Sequence, residues 1–520
     1  MKNENRFGRL ICLLLVLVLS VGGLSALSSC KNDEQPAGGT TPGNVTTDRN
    51  PNPDPETEEA RYKPADKDFG EGTSTGYYDY KMLVTTNYFY QSTYVWDGEG
   101  SAREVCDLAL FCRQNLMSER YNVQLSIINA GDKAYENLSV NGMGNPDYCQ
   151  AAMLTGIDSI SAAVNGYLLN LNSMPEFNLE ASYWDQRIQK EYLINDYLFT
   201  LEGDFNYIDD LRTYVVIYNS TAYNNLEYHD KYGSPYALAA EGKWTYDMMM
   251  EMIADKSSDM DGNDVMNERD FWGLVSETPA PYYFFLGSGL KFLTNESGTL
   301  KFEAAENASL WETNLNALQR LMSMGSNKDI LIADRDLDGD VWATASDIFQ
   351  QNRALFRTTS LSATMRLLDM KDNYGIMPIP AYTADQDGYY CWVHSNAHFP
   401  LSIPKSVTDP SKAALAAEYM AYHSRYDGGD SLYYAFYDLL AYARLCRTPD
   451  DKSMLELVFA NKTYDIDFAA KLTGIHDKTC EIVGQKNFTA VNSELSKIRN
   501  SVTETIRKFT VDVVTKVPNP

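Results

Sequence analysis

Residues 259–270 (DMDGNDVMNERD) carry oxygen-bearing side chains at the spacing of a calcium-binding loop. The candidate ligands occupy positions 1, 3, 5, 7, 9 and 12, and they are Asp259, Asp261, Asn263, the Val265 carbonyl, Asn267 and Asp270. Asp264 stands at position 6, where a sharp turn favours glycine, and the aspartate at position 12 has a shorter arm than glutamate. A structural calcium ion and a solvated acidic turn are therefore both retained as hypotheses.

Catalytic motifs are missing from the sequence, which contains no G-x-S-x-G elbow, phosphate-binding loop or H-E-x-x-H pair. His394 and His398 have helical spacing, but Ser395 stands where a zinc protease needs glutamate. Carboxylate pairs are uninformative among 71 acidic residues, so an acid/base pair of a glycoside hydrolase is not excluded. We predict a protein that is not an enzyme and that requires no cofactor.

Short apolar runs alternate with helical stripes from Tyr77 onward. The predicted strands are 81–86, 121–128, 150–154 and 214–218, and the predicted helices are 102–119, 246–256, 310–324, 412–423, 452–458 and 492–508. Strands separated by helices predict an α/β fold with a largely parallel sheet. Sheets of this kind bind ligands beyond the carboxyl ends of their strands.

The N-terminus has the features of an export signal. Basic residues precede the apolar run Leu10–Leu19, and Leu27–Cys30 (LSSC) resembles a bacterial lipobox. We therefore predict a signal peptide at 1–29, lipidation of Cys30, and attachment to the extracellular face of a bacterial membrane. Residues 31–76 are rich in Pro, Gly, Thr and acidic residues, so 30–76 is predicted to be the lipidated cysteine and a disordered tether.

Composition limits the partners of the chain. The 520 residues carry a formal net charge of −27, which argues against nucleic acid and against electrostatic docking on an anionic membrane. Six cysteines follow Cys30, and both disulfides and single buried thiols are compatible with that number.

Several motifs, in order, resemble the extracellular solute-binding proteins of carbohydrate ABC importers. They are YVVIYNSTAY at 214–223, EGKWTY at 241–246, the acidic loop ending in Trp-Gly at 259–273, YFFLGSG at 283–289, YGIMPIP at 374–380, LSIP at 401–404 and the helix at 444–459. The collinear set covers most of residues 80–510, although each motif alone is weak.

The resemblance implies two α/β lobes joined by crossover strands, with the ligand trapped between them. The first lobe would comprise 77–212 and 411–448, and the second 213–410 and 449–520. The implied function is capture of an oligosaccharide or sugar derivative by a monomer that delivers it to ABC permease subunits. A surface-anchored glycoside hydrolase and a glycan-binding protein without a transporter are the alternatives.

Sugars bind to aromatic faces and to planar polar side chains in a concave cleft. Trp244 and Trp272 fall in fold motifs, and Trp311 begins an apolar helical stripe, so all three are predicted to lie in the core. Trp96 follows the first strand, whereas Trp342 and Trp392 lie in segments that face the cleft in the family that the chain resembles. The full set of candidate ligand contacts is Asn87, Tyr94, Trp96, Asp210, Tyr282, Tyr283, Trp342, Trp392, His394 and Asn396.

Overall fold

The computed structural model describes residues 55–86, 104–302 and 307–516. The predicted signal peptide and Cys30 lie outside these ranges. Within the described ranges, no helix combines the length and apolar character that crossing a membrane requires.

Thirteen strands are present in the described residues. They are β1 Tyr78–Val84, β2 Val123–Asn129, β3 Ala151–Met153, β4 Tyr214–Asn219, β5 Trp272–Ser276, β6 Thr294–Glu296, β7 Thr299–Lys301, β8 Ile330–Ile332, β9 Ala354–Ser360, β10 Tyr374–Met377, β11 Cys391–Trp392, β12 Leu401–Ser402 and β13 Lys462–Thr463.

Helices connect and cover these strands. They are α1 Pro55–Tyr62, α2 Glu104–Tyr121, α3 Ala134–Asn137, α4 Gly156–Val164, α5 Gln186–Tyr192, α6 Ile208–Leu211, α7 Ser220–Asn225, α8 Tyr228–Tyr232, α9 Pro235–Ala240, α10 Tyr246–Ile253, α11 Ala280–Gly287, α12 Ala308–Met322, α13 Ala333–Asp336, α14 Val341–Gln350, α15 Pro410–Tyr426, α16 Leu432–Tyr434, α17 Pro449–Ala460, α18 Ile466–Ala470, α19 Ile475–Gly484 and α20 Val491–Lys516. Leu138–Gly142 and Ala435–Leu445 are π-helical.

The first lobe is built on a four-stranded sheet of order β12-β3-β1-β2. β1 is parallel to β2, from Tyr78 opposite Val123 to Val84 opposite Asn129, and it is also parallel to β3. β12 closes the edge as an antiparallel strand. The parallel arrangement predicted for the early strands is therefore confirmed.

The second lobe is built on a five-stranded sheet of order β10-β4-β9-β5-β8. β5 is parallel to β8 and β9, whereas β4 is antiparallel to β9 and β10. This sheet is mixed, so the prediction of a largely parallel sheet is wrong here. The reason is that β4 lies between β9 and β10 and runs opposite to both, starting with Tyr214 opposite Ser360 at the end of β9.

Two apolar cores lie on opposite faces of the first sheet. Tyr80, Met82 and Val84 of β1 belong to one core, which is completed by helix α15. Leu83 points to the other face and belongs to a core that continues into the second lobe. This alternation follows from the period-2 geometry of a strand that is buried on both faces.

The final part of the predicted tether is ordered, which corrects the prediction for residues 55–76. Glu58 of α1 accepts hydrogen bonds from the Ser182 N–H (2.8 Å) and the Ser182 hydroxyl (2.9 Å). Phe69 is fully buried, and its N–H donates to the Tyr121 carbonyl at 2.9 Å. The prediction was based on the average composition of the segment. Average composition gives no sign of the few side chains, such as Glu58 and Phe69, that contact distant residues of the folded first lobe.

The six cysteines after Cys30 are free thiols: Cys106, Cys112, Cys149, Cys391, Cys446 and Cys480. Burial raises the pKa of the Cys149 thiol and of the Cys391 thiol to about 12. Of the two hypotheses for these residues, single thiols rather than disulfides are therefore confirmed.

Candidate functional site

The segment Trp392–His398, which we call the cleft floor, lies where the carboxyl ends of strands from both sheets meet. Helix α4 starts directly after β3, and its Gly156 N–H donates to the His398 carbonyl at 3.2 Å. On the other side, Thr213 forms an antiparallel bridge with Val393, and its carbonyl accepts the Leu361 N–H just after β9 at 2.9 Å. Both lobes therefore contact the same crossover segment.

Gly156 explains how closely the first lobe approaches the cleft floor. A Cβ atom at this position would lie 2.5 Å from His398 Nε2 and 2.8 Å from the Ser395 carbonyl oxygen. These distances leave no room for a side chain. The glycine allows the start of α4 to rest directly on the crossover.

Trp392 is the centre of an aromatic cluster, defined here as Tyr214, Tyr282, Tyr283, Trp392, His394, Phe468 and His476. Its ring centroid lies 4.6 Å from His394, 5.5 Å from Tyr214 and 5.8 Å from Phe468. The side chain is fully buried, and its indole Nε1 has no hydrogen-bond partner among the described residues. A buried N–H of this kind is costly unless a ligand oxygen or a water molecule satisfies it.

His394 is half-buried and stays neutral. Burial and the neighbouring His476 lower the pKa of His394 to about 3. Its Nδ1 accepts the Asn396 N–H at 3.1 Å, which places the remaining proton on Nε2. His394 and the half-buried Asn396 can therefore offer neutral polar groups from the cleft floor.

Comparison with known proteins identifies the fold. No family model matches the sequence, and neither does any curated protein. Among solved structures, an ABC substrate-binding protein from Listeria monocytogenes in complex with cycloalternan has a TM-score of 0.53 at 13% identity, covering 82% of this chain and 100% of that chain. A cyclo/maltodextrin-binding protein complexed with maltotetraose has a TM-score of 0.52 at 12% identity, covering 82% and 96%. The chain has the two-lobe fold of ABC substrate-binding proteins.

The apo form of RafE from Streptococcus pneumoniae is also similar, with a TM-score of 0.50 at 12% identity, covering 81% of this chain and 98% of that chain. The predicted two-lobe α/β fold is thus confirmed. The cleft floor and the aromatic cluster lie where the two lobes of this fold meet.

Tyr282 and Tyr283 lie on α11 beneath the cleft floor. Both are buried, and their hydroxyls donate to the protein itself: Tyr282 to Asp465 Oδ2 and Tyr283 to Thr358 Oγ1, each at 2.7 Å. The structure therefore places these two candidates as supports of Trp392.

Asp210 lies in α6 and belongs to a buried ionic network at the crossover. Its Oδ1 lies 2.8 Å from Lys462 Nζ, and its Oδ2 accepts the Tyr437 hydroxyl at 2.8 Å. Burial raises the pKa of Asp210 to about 6, although Lys462 acts in the opposite direction. Lys462 also pairs with Asp185 and Asp209, so Asp210 is placed in a structural cluster.

Trp342 lies at the start of α14, where Asp340 caps the helix by accepting the Ala343 N–H. The side chain is half-buried, and no ring contact among the described residues involves it. The structure does not bring Trp342 into the aromatic cluster. Asn87, Tyr94 and Trp96 lie outside the described residues.

Two acidic residues near the cleft floor were not predicted. Glu277 follows β5 directly, accepts the Tyr214 hydroxyl at 3.1 Å, and has its pKa raised to about 8 mainly by burial. Asp158 lies in the first turn of α4, and burial raises its pKa, although the Thr155 hydroxyl and Lys471 act in the opposite direction. Position after a parallel strand is the signal that could have identified Glu277 and Asp158.

The acidic loop 259–270 lies between α10 and β5. Carboxylate oxygens of Asp259, Asp261 and Asp270 come within 4.8 Å of one another. Asn263 accepts the Val265 N–H at 2.7 Å, and Asn267 donates to the Val265 carbonyl at 2.8 Å, so these groups bond to the loop itself. Asp264 adopts a φ of 61°, the left-handed conformation that the turn needs. Calcium binding stays a prediction.

Proposed function

We propose that the protein is a lipid-anchored substrate-binding protein that captures an oligosaccharide or sugar derivative between its lobes and delivers it to an ABC permease. The observation that supports this proposal best is the cleft floor, which lies at the carboxyl ends of strands from both sheets and carries a buried aromatic cluster. Two similar structures are described as complexes with cycloalternan and maltotetraose.

The chemistry around the cleft floor suits a neutral, hydroxyl-rich ligand. Trp392 Nε1 needs an acceptor, and neutral His394 and the Asn396 amide provide polar groups without net charge. A sugar hydroxyl both accepts and donates, so it can satisfy each of these groups at once. Ring faces nearby suit the apolar faces of a sugar.

Catalysis is not part of this proposal. Glu277 has the raised pKa that a general acid needs, but it is buried and bonded to Tyr214. Cys480 Sγ lies 3.8 Å from His476 Nε2, yet burial and two nearby aspartates raise the pKa of the thiol to about 12. A thiol that stays protonated is not a nucleophile.

Attachment through Cys30, a position on the extracellular face of the membrane, a monomeric state and the permease partner complete the proposal. The lipobox-like sequence LSSC supports the anchor and its position at the membrane. The similar Listeria structure, named an ABC substrate-binding protein, supports the permease partner. Incorporation of labelled palmitate into the wild type, and its loss in Cys30→Ser, would demonstrate the anchor. An unlabelled wild-type chain would contradict it.

A glycan panel tests the central proposal. We expect one class of oligosaccharide to raise the thermal midpoint of the protein, because a ligand that binds only the folded state stabilises it. Chromatography of the same glycan after long incubation should return it unchanged. Release of shorter products would overturn the proposal in favour of a glycoside hydrolase. If the protein binds the glycan but deletion of the permease does not change glycan uptake, a glycan-binding protein without a transporter would be favoured instead.

A further inference from the structure

The C-terminal helix α20 is the longest helix of the described residues, and it contacts both lobes. Its 26 residues correspond to a length of about 39 Å at 1.5 Å per residue. One face carries the buried apolar side chains, which are Val491, Leu495, Val502, Ile506, Phe509 and Val513. Spacings of three, four and seven residues keep this stripe on one side along the whole helix.

The first half of α20 packs on the second lobe. The guanidinium group of Arg499 lies 5.3 Å from the centroid of the Trp311 ring in α12. Gln319 of the same helix donates to the Asn492 side chain. These contacts attach the start of α20 to the lobe that contains the five-stranded sheet.

The last turns of α20 pack on the first lobe. Gly166, just after α4, is so close to the end of α20 that a Cβ atom there would lie 3.0 Å from the Lys516 carbonyl oxygen and 3.3 Å from Lys516 Cβ. Helix α20 contacts α4 directly, and Phe509 and Val513 at this end of α20 are buried, as are Ile160 and Ala163 of α4. Helix α4 follows β3 of the first sheet directly, so this end of α20 lies on the other lobe.

We propose that α20 is an interlobe strut that holds the two lobes together and that must release α4 when the cleft opens. A helix is stiff, and its ends are packed on bodies that move apart in hinge opening. The buried side chains of Phe509 and Val513 therefore favour the arrangement of the lobes that this structure shows. The strut depends on the two-lobe fold alone and not on which ligand the cleft binds.

Paired alanine substitutions on one helix test the strut in the full-length protein. Phe509→Ala with Val513→Ala removes the packing on α4, whereas Val511→Ala with Val514→Ala changes side chains that are 45% and 39% exposed. We expect small-angle scattering without ligand to give a larger radius of gyration for the first pair only. An unchanged radius for the first pair, with circular dichroism confirming that it folds, would overturn the strut.

A reversible crosslink provides an independent test. The 3.3 Å between an ideal Cβ at Gly166 and Lys516 Cβ is close to the roughly 3.5–4.5 Å of disulfides. Gly166 has a φ of 72°, so circular dichroism of Gly166→Cys with Lys516→Cys must show a folded protein, and mass spectrometry the disulfide, before the opening is compared. We expect the oxidised form to lose the scattering change seen on mild denaturant-induced opening, and reduction to restore it. Opening that is unaffected by oxidation would contradict the strut. The radius of gyration without ligand and the effect of oxidation on opening are both measured without a sugar. They therefore test the strut even if the protein proves not to bind a glycan.

Discussion

Lys462 Nζ lies 2.8 Å from Asp210 Oδ1, although the lysine belongs to β13, which pairs with β11 at the start of the cleft floor, and the aspartate belongs to the first lobe. Asp185 Oδ2 is 3.3 Å from the same nitrogen, and all three side chains are at most 7% exposed. One cation therefore holds carboxylates of the first lobe against the crossover region.

Lys462→Ala should destabilise the protein by about 3–5 kcal/mol, because removing one partner of a buried ion pair leaves uncompensated charge. Urea unfolding followed by tryptophan fluorescence measures the change. Lys452→Ala is the matched control, since its pair with Glu456 is exposed and should contribute at most about 1 kcal/mol. Equal losses in the two variants would show that the network does not stabilise the crossover.

Glu277 should make stability fall as the pH rises from about 6.5 to 8. Burial raises its pKa to about 8, so the folded state keeps a proton that the unfolded state has already released. The contribution of Glu277 to the free energy of unfolding therefore decreases as the pH rises above the pKa that Glu277 has in the unfolded chain. It stops decreasing once the pH is above the pKa of Glu277 in the folded protein. His394 and His398, with pKa values lowered to about 3 and about 4, affect stability only below about 6.5.

Glu277→Gln carries the same hydrogen-bonding pattern as the protonated acid and does not titrate. Unfolding free energies measured across this pH window should therefore vary less in the variant than in the wild type. A wild-type slope that persists unchanged in Glu277→Gln would assign the effect to other groups.

Trp392→Phe should weaken binding of the glycan identified by the panel by about 2- to 10-fold, since it removes one hydrogen-bond donor and retains an aromatic ring. Isothermal titration calorimetry measures the affinity. Trp342→Phe serves as the control, because Trp342 lies outside the aromatic cluster. A larger loss of affinity in Trp342→Phe than in Trp392→Phe would show that the ligand binds close to α14.

Phe69→Ala should cost about 3–5 kcal/mol of stability, because the ring is fully buried and lies 5.5 Å from the Tyr419 ring. Thermal or urea unfolding tests whether residues 55–76 are part of the first lobe. Tyr77→Ala, at a site that is 38% exposed, should have little effect. A negligible loss of stability in Phe69→Ala would show that residues 55–76 are part of the tether and not of the first lobe.

The two hypotheses for the loop 259–270 make opposite predictions. A structural calcium ion would raise the thermal midpoint on addition of calcium, and Asp259→Asn would abolish the shift. A solvated acidic turn predicts a midpoint that is indifferent to calcium and to chelator.

Much of the fold follows from local patterns in the sequence. The strands at 78–84 and 123–129 and the helix at 308–322 agree with the predicted bounds within a few residues, because their apolar periodicity is a property of neighbouring residues. The helix predicted at 492–508 begins where expected but continues to Lys516. The ordered motifs also predicted the two-lobe fold that the structural comparisons confirm.

The candidate site depended more on tertiary structure. Tyr282, Tyr283 and Asp210 were chosen by residue type, but their hydroxyl and carboxylate groups have partners at Asp465, Thr358 and Lys462 that are distant in the chain. Periodicity carries no information about such partners. Glu277 also depends on tertiary structure. The sequence shows that it directly follows the segment that forms β5, but its pKa is raised mainly because the folded protein buries it.

The sequence by itself indicated four of the strands, six of the helices, the acidic charge and the lipobox-like Cys30 motif, since each is encoded in residues close together in the chain. Tertiary structure alone decided that β4 runs antiparallel, that residues 55–76 are docked, that Lys462 joins three aspartates, and that α20 reaches from one lobe to the other. These features are contacts between segments far apart in the chain, and their energies depend on burial and distance, which only the folded molecule sets.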